Sequence, residues 1–103
     1  MAERDDRPLT LSAKEMLILE LLVHHGELYG LQMVAASKRL KRGTVYVTLG
    51  RMEEKGYVAS RQEDAPPEAG GLPRRLYRAT PLGRRVLAAW TTAAKRLMPE
   101  VAR

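Results

Sequence analysis

The sequence predicts a mainly α domain of the α+β class, in which three helices precede a two-stranded hairpin and a longer helix follows it. Three observations predict this order. Apolar residues recur every three to four positions over residues 16–23 and 45–52, which is the helical period. The period changes to two after Gly56, as it does in strands. Thr80 and Pro81 then form a strong helix start. A chain of 103 residues is the size of one domain.

The first two helices are predicted over residues 12–25 and 28–37. The first begins at a capping box, because the Ser12 side chain can accept a hydrogen bond from the amide of Glu15 and the Glu15 carboxylate can reach back. Gly30 lies near the start of the second helix. Glycine costs about 1 kcal/mol inside a helix, so close packing is the better explanation for it.

The third helix is predicted over residues 42–55. Its buried side consists of Val45, Leu49 and Met52, which are spaced for one helical face. The opposite face carries Gly43, Val47, Gly50, Arg51 and Glu54, with Thr44 and Tyr46 on its flanks. The helix is expected to end before Gly56.

The hairpin is predicted from alternation over residues 57–62 and 74–79, joined by the turn-rich residues 64–73. The last helix is predicted from Pro81 to about Met98. The apolar stripe of this helix consists of Val86, Trp90, Ala93 and Leu97. The stripe is longer than a three-helix core can cover, so the sequence predicts a homodimer joined through these residues.

The order of elements is that of a winged helix-turn-helix, with a two-stranded wing and a C-terminal dimerisation helix. We therefore expect a mobile leader over residues 1–10, the winged helix-turn-helix over 11–80 and the dimerisation helix over 81–103. In this fold the third helix enters the DNA major groove, and a two-fold dimer spaces two such helices about one helical turn apart.

Positive charge is concentrated in two blocks of a chain whose net charge is +6. Residues 38–61 contain seven basic and two acidic residues, and residues 74–103 contain eight basic and one acidic. Such blocks are either a solvated surface or a surface for a polyanion. The first block lies on the predicted third helix, which favours double-stranded DNA as the partner. Residues 62–73 carry three acidic residues and are expected to point away from phosphates.

The candidate DNA contacts lie on the third helix and the wing. They are Lys41, Arg42, Thr44, Tyr46, Val47, Arg51, Arg61, Arg74 and Arg75. The three wing arginines are expected at the base of the hairpin. Tyr46 has two open interpretations, contact with DNA or packing against the wing. Each arginine can bind either a phosphate or a guanine edge.

Other classes of function find no support in the sequence. The chain has no cysteine, which excludes disulfides and thiolate metal sites. His24 and His25 are adjacent and point about 100° apart on a helix, so no metal site is expected. No phosphate loop, nucleophile elbow or paired carboxylates are found, so the chain is predicted not to be an enzyme and to need no cofactor. No apolar run approaches the roughly 20 residues of a membrane span, and no secretory signal is expected.

Three stretches of the chain resemble the PadR family of bacterial transcriptional regulators. They are LYGL at residues 28–31, RGTVYVTLGRMEEKGYV at 42–58 and RRLYRATPLGRR at 74–85. The resemblance covers residues 11–90. It implies a dimeric winged-helix repressor that is cytoplasmic and is associated with the nucleoid when it binds DNA. Many members respond to a small molecule.

The chain departs from the family pattern in several respects, of which two bear on the binding of DNA or of an inducer. Gly50 stands where members commonly carry a larger residue on the DNA side. Only one helix follows the wing, which resembles the short branch of the family and leaves no larger C-terminal domain for an inducer. Trp90 can pack in the core or the dimer seam, or it can stack a small planar effector, as a tryptophan on this helix does in some short members.

Two hypotheses of function therefore stand. The first is a dimeric, sequence-specific DNA-binding repressor. The alternative is a winged helix that serves as a protein-interaction module, an antirepressor or an adaptor, which the acidic wing tip and Gly50 favour. Steep salt dependence and a preference for an operator over random duplex would separate the two.

Overall fold

The computed structural model describes residues 10–63 and 74–97. The elements are α1 (Ala13–His25), β1 (Leu28–Tyr29), α2 (Gly30–Ala36), α3 (Arg42–Glu54), β2 (Val58–Glu63), β3 (Arg74–Ala79) and α4 (Pro81–Leu97). Three predictions concern residues outside the described ranges: the mobile leader, the acidic turn at 64–73 and the end of the last helix near Met98. Of these residues, only Thr10, at the end of the leader, is described.

The first helix begins as the capping box predicts. The Ser12 amide donates to Oε1 of Glu15 at 2.8 Å, and the Glu15 amide donates to Oγ of Ser12 at 3.1 Å. Glu15 is buried, and its Oε2 also accepts from Nζ of Lys55 at 2.8 Å. The start of α1 is therefore joined to the residue that follows α3.

The predicted start of the second helix is wrong by two residues. Leu28 and Tyr29 form β1, which pairs antiparallel with β3, Leu28 opposite Tyr77 and Tyr29 opposite Leu76. The sheet thus has three strands in the order β1-β3-β2. The backbone of this segment pairs with the free edge of β3, a partner too distant along the chain for local spacing to reveal. The helix α2 begins only at Gly30.

The core lies between α1, α3 and the sheet. Val45, Leu49 and Met52 of α3 are fully buried, which confirms the predicted buried side of this helix. They belong to one cluster with residues of α1 and of the sheet, namely Ile18, Leu19 and Leu22 of α1, Tyr57 just before β2, Val58 of β2, and Tyr77 and Ala79 of β3. Three α3 side chains anchored in this way fix the direction in which the opposite side of α3 faces.

Among the described residues, the last helix packs on the core cluster through its first turns. Thr80 caps it, accepting from the Gly83 amide at 3.0 Å and donating to the Gly56 carbonyl. Val86 is only 4% exposed and belongs to the core cluster, which corrects its placement in the dimer seam. From Ala88 to Arg96 every residue is exposed.

No helix within residues 10–63 and 74–97 combines the length and the apolar character needed to cross a membrane.

Candidate nucleic-acid interface

The outward side of α3 is exposed along the whole helix. Gly43, Val47, Gly50, Arg51 and Glu54 are exposed, as the helical spacing predicted. Val47 is 55% exposed although it is apolar. Within the described part of the chain, neither Arg42 nor Arg51 makes a hydrogen bond or an ion pair through its side chain. This side of α3 is therefore an exposed surface on a fixed helix, with these two arginines, Arg42 at the start of the helix and Arg51 toward its end.

The two threonine hydroxyl groups of α3 are turned toward its own backbone. Thr44 Oγ1 donates to the Lys41 carbonyl at 3.3 Å, and Thr48 Oγ1 donates to the Thr44 carbonyl at 3.0 Å. Because each hydroxyl has one proton, Thr44 in this arrangement can offer an incoming ligand only an acceptor.

A groove of about 490 Å³ separates α2 and Tyr46 from the wing. The Tyr46 ring packs on Gly30, where an added Cβ would lie 2.6 Å from Cε1 of the ring. This contact confirms that close packing explains Gly30. Tyr46 remains 47% exposed. Arg74 and Arg75 lie across the groove from it. Tyr46 thus packs on α2, which neither of the two predicted interpretations, contact with DNA or packing against the wing, included. The exposed part of the residue remains accessible.

The wing arginines lie at the far end of the hairpin and not at its base, which corrects the predicted position. Val58 pairs with Ala79 at the base, next to the core. Arg61 pairs with Leu76, Gln62 with Arg75 and Glu63 with Arg74, toward the turn. Val58 and Ala79 at the base are buried in the core cluster, so the three arginines lie farther along the ladder.

Arg61 is held by a carboxylate of the segment that joins α1 to β1. Its Nε and Nη2 donate to Oε2 and Oε1 of Glu27 at 3.0 and 2.9 Å. This hydrogen bond lowers the pKa of the Glu27 carboxyl below its ordinary value, assisted by the charges of Arg61 and Arg78. The same pairing raises the pKa of Arg61. The guanidinium group therefore has a two-point anionic partner within the protein.

Arg74 lies in a second network, around Tyr29. Its Nη2 donates to Oε1 of Glu63 at 3.3 Å, and its guanidinium carbon lies 4.4 Å from the centroid of the Tyr29 ring. The Tyr29 hydroxyl donates to the Glu63 carboxylate, with both oxygens within 2.8 Å. That hydrogen bond is the main reason why the pKa of Tyr29 is raised.

Arg75 is bound through a serine to a third carboxylate. Its Nη1 donates to Oγ of Ser60 at 3.0 Å, and Ser60 Oγ donates to Oε2 of Glu53 at 2.7 Å. Glu27 and Glu53 were not predicted as site residues. No spacing signal pairs Glu27 with Arg61, because the two meet only through the long-range pairing of β1 with β3.

A second basic groove lies between the start of α1 and the exposed side of α3. Lys14, Arg51 and Lys55 line it together with Val47. Arg51 thus stands beside basic groups of both helices.

Within the described residues, no group of three or more His, Asp or Glu side chains is arranged to hold a metal ion.

The predicted dimer residues have different surroundings. Trp90 is 40% exposed, and Ala93 is exposed. Leu97 belongs to α4, but its side chain lies outside the description. A shallow surface on this helix is lined by Ala88, Ala89, Thr92, Ala93 and Arg96. Stacking of a planar effector on Trp90 stays a prediction.

The chain is similar to known transcriptional regulators. Residues 18–89 match the model of the transcriptional regulator PadR-like family. The transcriptional regulator Rv3488 of Mycobacterium tuberculosis is 37% identical over 79 residues, which cover 77% of this chain and 66% of that protein, just under two thirds of its length. A PadR family regulator from Eggerthella lenta is 28% identical, with a TM-score of 0.71 over 85% of this chain and 77% of that one. Bacillus subtilis PadR, solved in complex with operator DNA, is 24% identical, with a TM-score of 0.67 over 76% of this chain and 46% of that one.

Proposed function

Because this chain belongs to the PadR-like family of transcriptional regulators, we propose that it is a sequence-specific repressor that binds double-stranded operator DNA as a homodimer. The helix α3 reads the major groove of the operator, and the wing lies beside it. The complex forms in the bacterial cytoplasm, on the nucleoid. The likeness to Bacillus subtilis PadR extends to the fold alone, so the proposal depends on this chain's own surface.

The observation that carries the proposal is the exposed side of α3. This side carries Arg51, has Lys41 and Arg42 at its N-terminal end, and is supported from behind by the fully buried residues of the opposite side of the helix. A helix fixed in this way can enter a major groove about 12 Å wide without losing its position on the core. Arg42 and Arg51 have no carboxylate partner among the described residues, so they can bind DNA without first giving up an internal contact.

Individual residues on this side suit distinct parts of the duplex. Lys41 and Arg42 stand at the N-terminal end of α3, where backbone amides and the helix dipole also attract phosphate. Val47 offers an apolar surface suited to a thymine methyl group. Arg51 lies one turn farther and suits a guanine edge or a phosphate. Gly50 has open space around its Cα, which lets the DNA approach the backbone.

The exposed part of α4 supports the proposed dimer. The helix continues beyond its contacts with the core, and Trp90 and Ala93 are accessible there. Pairing with the same helix of a second copy, through these residues and Leu97, would cover this surface. It would also present two copies of α3 to one face of the duplex.

Substitution of Arg51 tests the proposal. The assay is an electrophoretic mobility shift with DNA from upstream of the protein's own gene and with a random duplex of equal length. We expect Arg51→Ala to weaken operator binding by roughly 5- to 150-fold, the equivalent of about 1–3 kcal/mol for an arginine that contacts a base.

The matched control is Arg84→Ala. Arg84 is exposed on α4, and its loss changes the net charge equally. We expect the control to bind the operator nearly as wild type does. If the wild-type protein does not distinguish operator from random duplex at physiological salt, the proposal is wrong and the protein-interaction module becomes the better hypothesis.

A further inference from the structure

We propose that Glu27 and Glu63 are specificity-determining residues that occupy the wing arginines Arg61 and Arg74 and so limit the protein's affinity for DNA of arbitrary sequence. The inference rests on the proposed function, because it concerns how the same protein distinguishes one duplex from another. Both carboxylates serve as internal substitutes for DNA phosphates.

The pair of Glu27 with Arg61 has the geometry of an arginine–phosphate contact. Two parallel hydrogen bonds of 3.0 and 2.9 Å join the guanidinium group to the carboxylate. An arginine binds two phosphate oxygens in the same fork arrangement. A DNA phosphate and Glu27 therefore compete for the same donors, and Arg61 cannot serve both in this way.

The side chain of Arg61 is 54% exposed, so the competition is possible. A solvent-exposed ion pair is weak and exchanges readily. The pair does not block DNA absolutely. It lowers the gain that a phosphate contact of Arg61 would bring, because the contact with Glu27 must be given up first.

Glu63 is fixed in front of Arg74 more firmly than an isolated surface carboxylate would be. The Tyr29 hydroxyl donates to this carboxylate, and the ring of the same tyrosine lies under the Arg74 guanidinium group. Tyr29 therefore positions both partners. Since Tyr29 belongs to β1 and Glu63 to β2, the arrangement depends on the three-stranded sheet.

Four of the candidate DNA-binding arginines thus fall into two groups. Arg42 and Arg51 on α3 have no carboxylate partner in the described part of the chain, whereas Arg61 and Arg74 on the wing each have one. Binding to arbitrary sequence comes almost entirely from phosphate contacts. Occupied wing arginines therefore reduce that binding, while the groups on α3 stay ready for the operator.

The test measures the binding of a random-sequence duplex over a series of salt concentrations by fluorescence anisotropy. In Glu27→Gln the carboxylate charge is lost and Arg61 is released. We expect affinity for the random duplex to rise several-fold. We also expect the plot of log affinity against log salt to steepen by about 0.9, the value for one additional phosphate contact. Glu63→Gln is the second variant and is expected to change both quantities in the same direction.

Glu20→Gln is the matched control. Glu20 is exposed on α1, and its loss changes the net charge by the same amount without releasing an arginine within the described residues. We expect a smaller rise in affinity and an unchanged slope. In the double variant Glu27→Gln, Arg61→Ala we expect the gain to disappear, because the released group is absent.

Two outcomes would overturn the inference. If Glu27→Gln binds the random duplex no better than Glu20→Gln, the carboxylate does not compete with DNA. If Glu27→Gln binds both random and operator DNA more weakly, the pair instead holds the wing in position. In either case a wild-type protein that still prefers its operator leaves the proposed function intact, whereas a wild-type protein that binds no duplex at low salt refutes that function.

Discussion

Among the described glycines, Gly83 has the least room for a side chain. A Cβ at this position would lie 2.1 Å from the carbonyl oxygen of Tyr57, which belongs to the backbone. The same carbonyl accepts from the Thr80 amide at 3.0 Å, so it is held in place. We expect Gly83→Ala to lower the free energy of unfolding by roughly 1–3 kcal/mol or more, since the start of α4 must move away from the core. Urea unfolding followed by circular dichroism measures this change.

Gly50→Ala is the matched control for this prediction. Gly50 also lies within a helix, but nothing stands within 4 Å of an added Cβ. Alanine there should raise the free energy of unfolding by about 0.5–1 kcal/mol, because glycine is a poor helix former. Equal changes in the two variants would show that helix propensity, and not the contact with Tyr57, decides the effect at residue 83.

At the scale of the elements, the helix α1 is joined to the end of α3 through a buried carboxylate, that of Glu15. Glu15 closes the capping box and binds Lys55 at 2.8 Å, so one buried carboxylate both starts α1 and joins it to the end of α3. We expect Glu15→Ala to lower the free energy of unfolding by about 1–3 kcal/mol, because the Ser12 amide and the Lys55 ammonium lose their acceptor. Thermal unfolding with Glu20→Ala as the comparison measures this. The exposed Glu20 should change stability by less than about 0.5 kcal/mol. Similar losses in both variants would contradict the prediction.

The same scale shows which elements the sequence could predict. Three features depend on residues within a few positions of each other: the ends of α1, the buried side of α3 and the cap of α4. The spacing of Ser12 with Glu15 was sufficient to predict the start of α1, and that of Thr80 with Pro81 was sufficient to predict the start of α4. Strand β1 was missed because Leu28 and Tyr29 pair with a strand far along the chain. The site follows the same division. The outward side of α3 was predicted, whereas the partners of Arg61 and Arg74 depend on the sheet that brings them together.

At the scale of the whole molecule, α4 is the helix through which we propose that two copies join. Val86 was predicted in the seam but faces the core, since a helix that packs across the sheet must bury its first apolar positions. The surface left for a partner begins at Ala88. Most helices are supported by tertiary packing, and a second copy would supply it to the exposed part of α4.

Ala93→Glu tests the dimer at this surface. Ala93 is exposed and lies on the shallow alanine-lined side of α4, so a carboxylate there would be buried against the partner helix without a compensating charge. We expect the variant to sediment as a monomer at micromolar concentration in analytical ultracentrifugation, and to bind the operator at least tenfold more weakly, because the two half-sites are no longer bound together. The far-ultraviolet circular dichroism of the core should change little. Thr91→Glu adds the same charge about 160° around the helix from residue 93 and should stay dimeric. A wild-type protein that sediments as a monomer, or an Ala93→Glu variant that remains dimeric, would exclude α4 as the interface that places two copies of α3 on one operator.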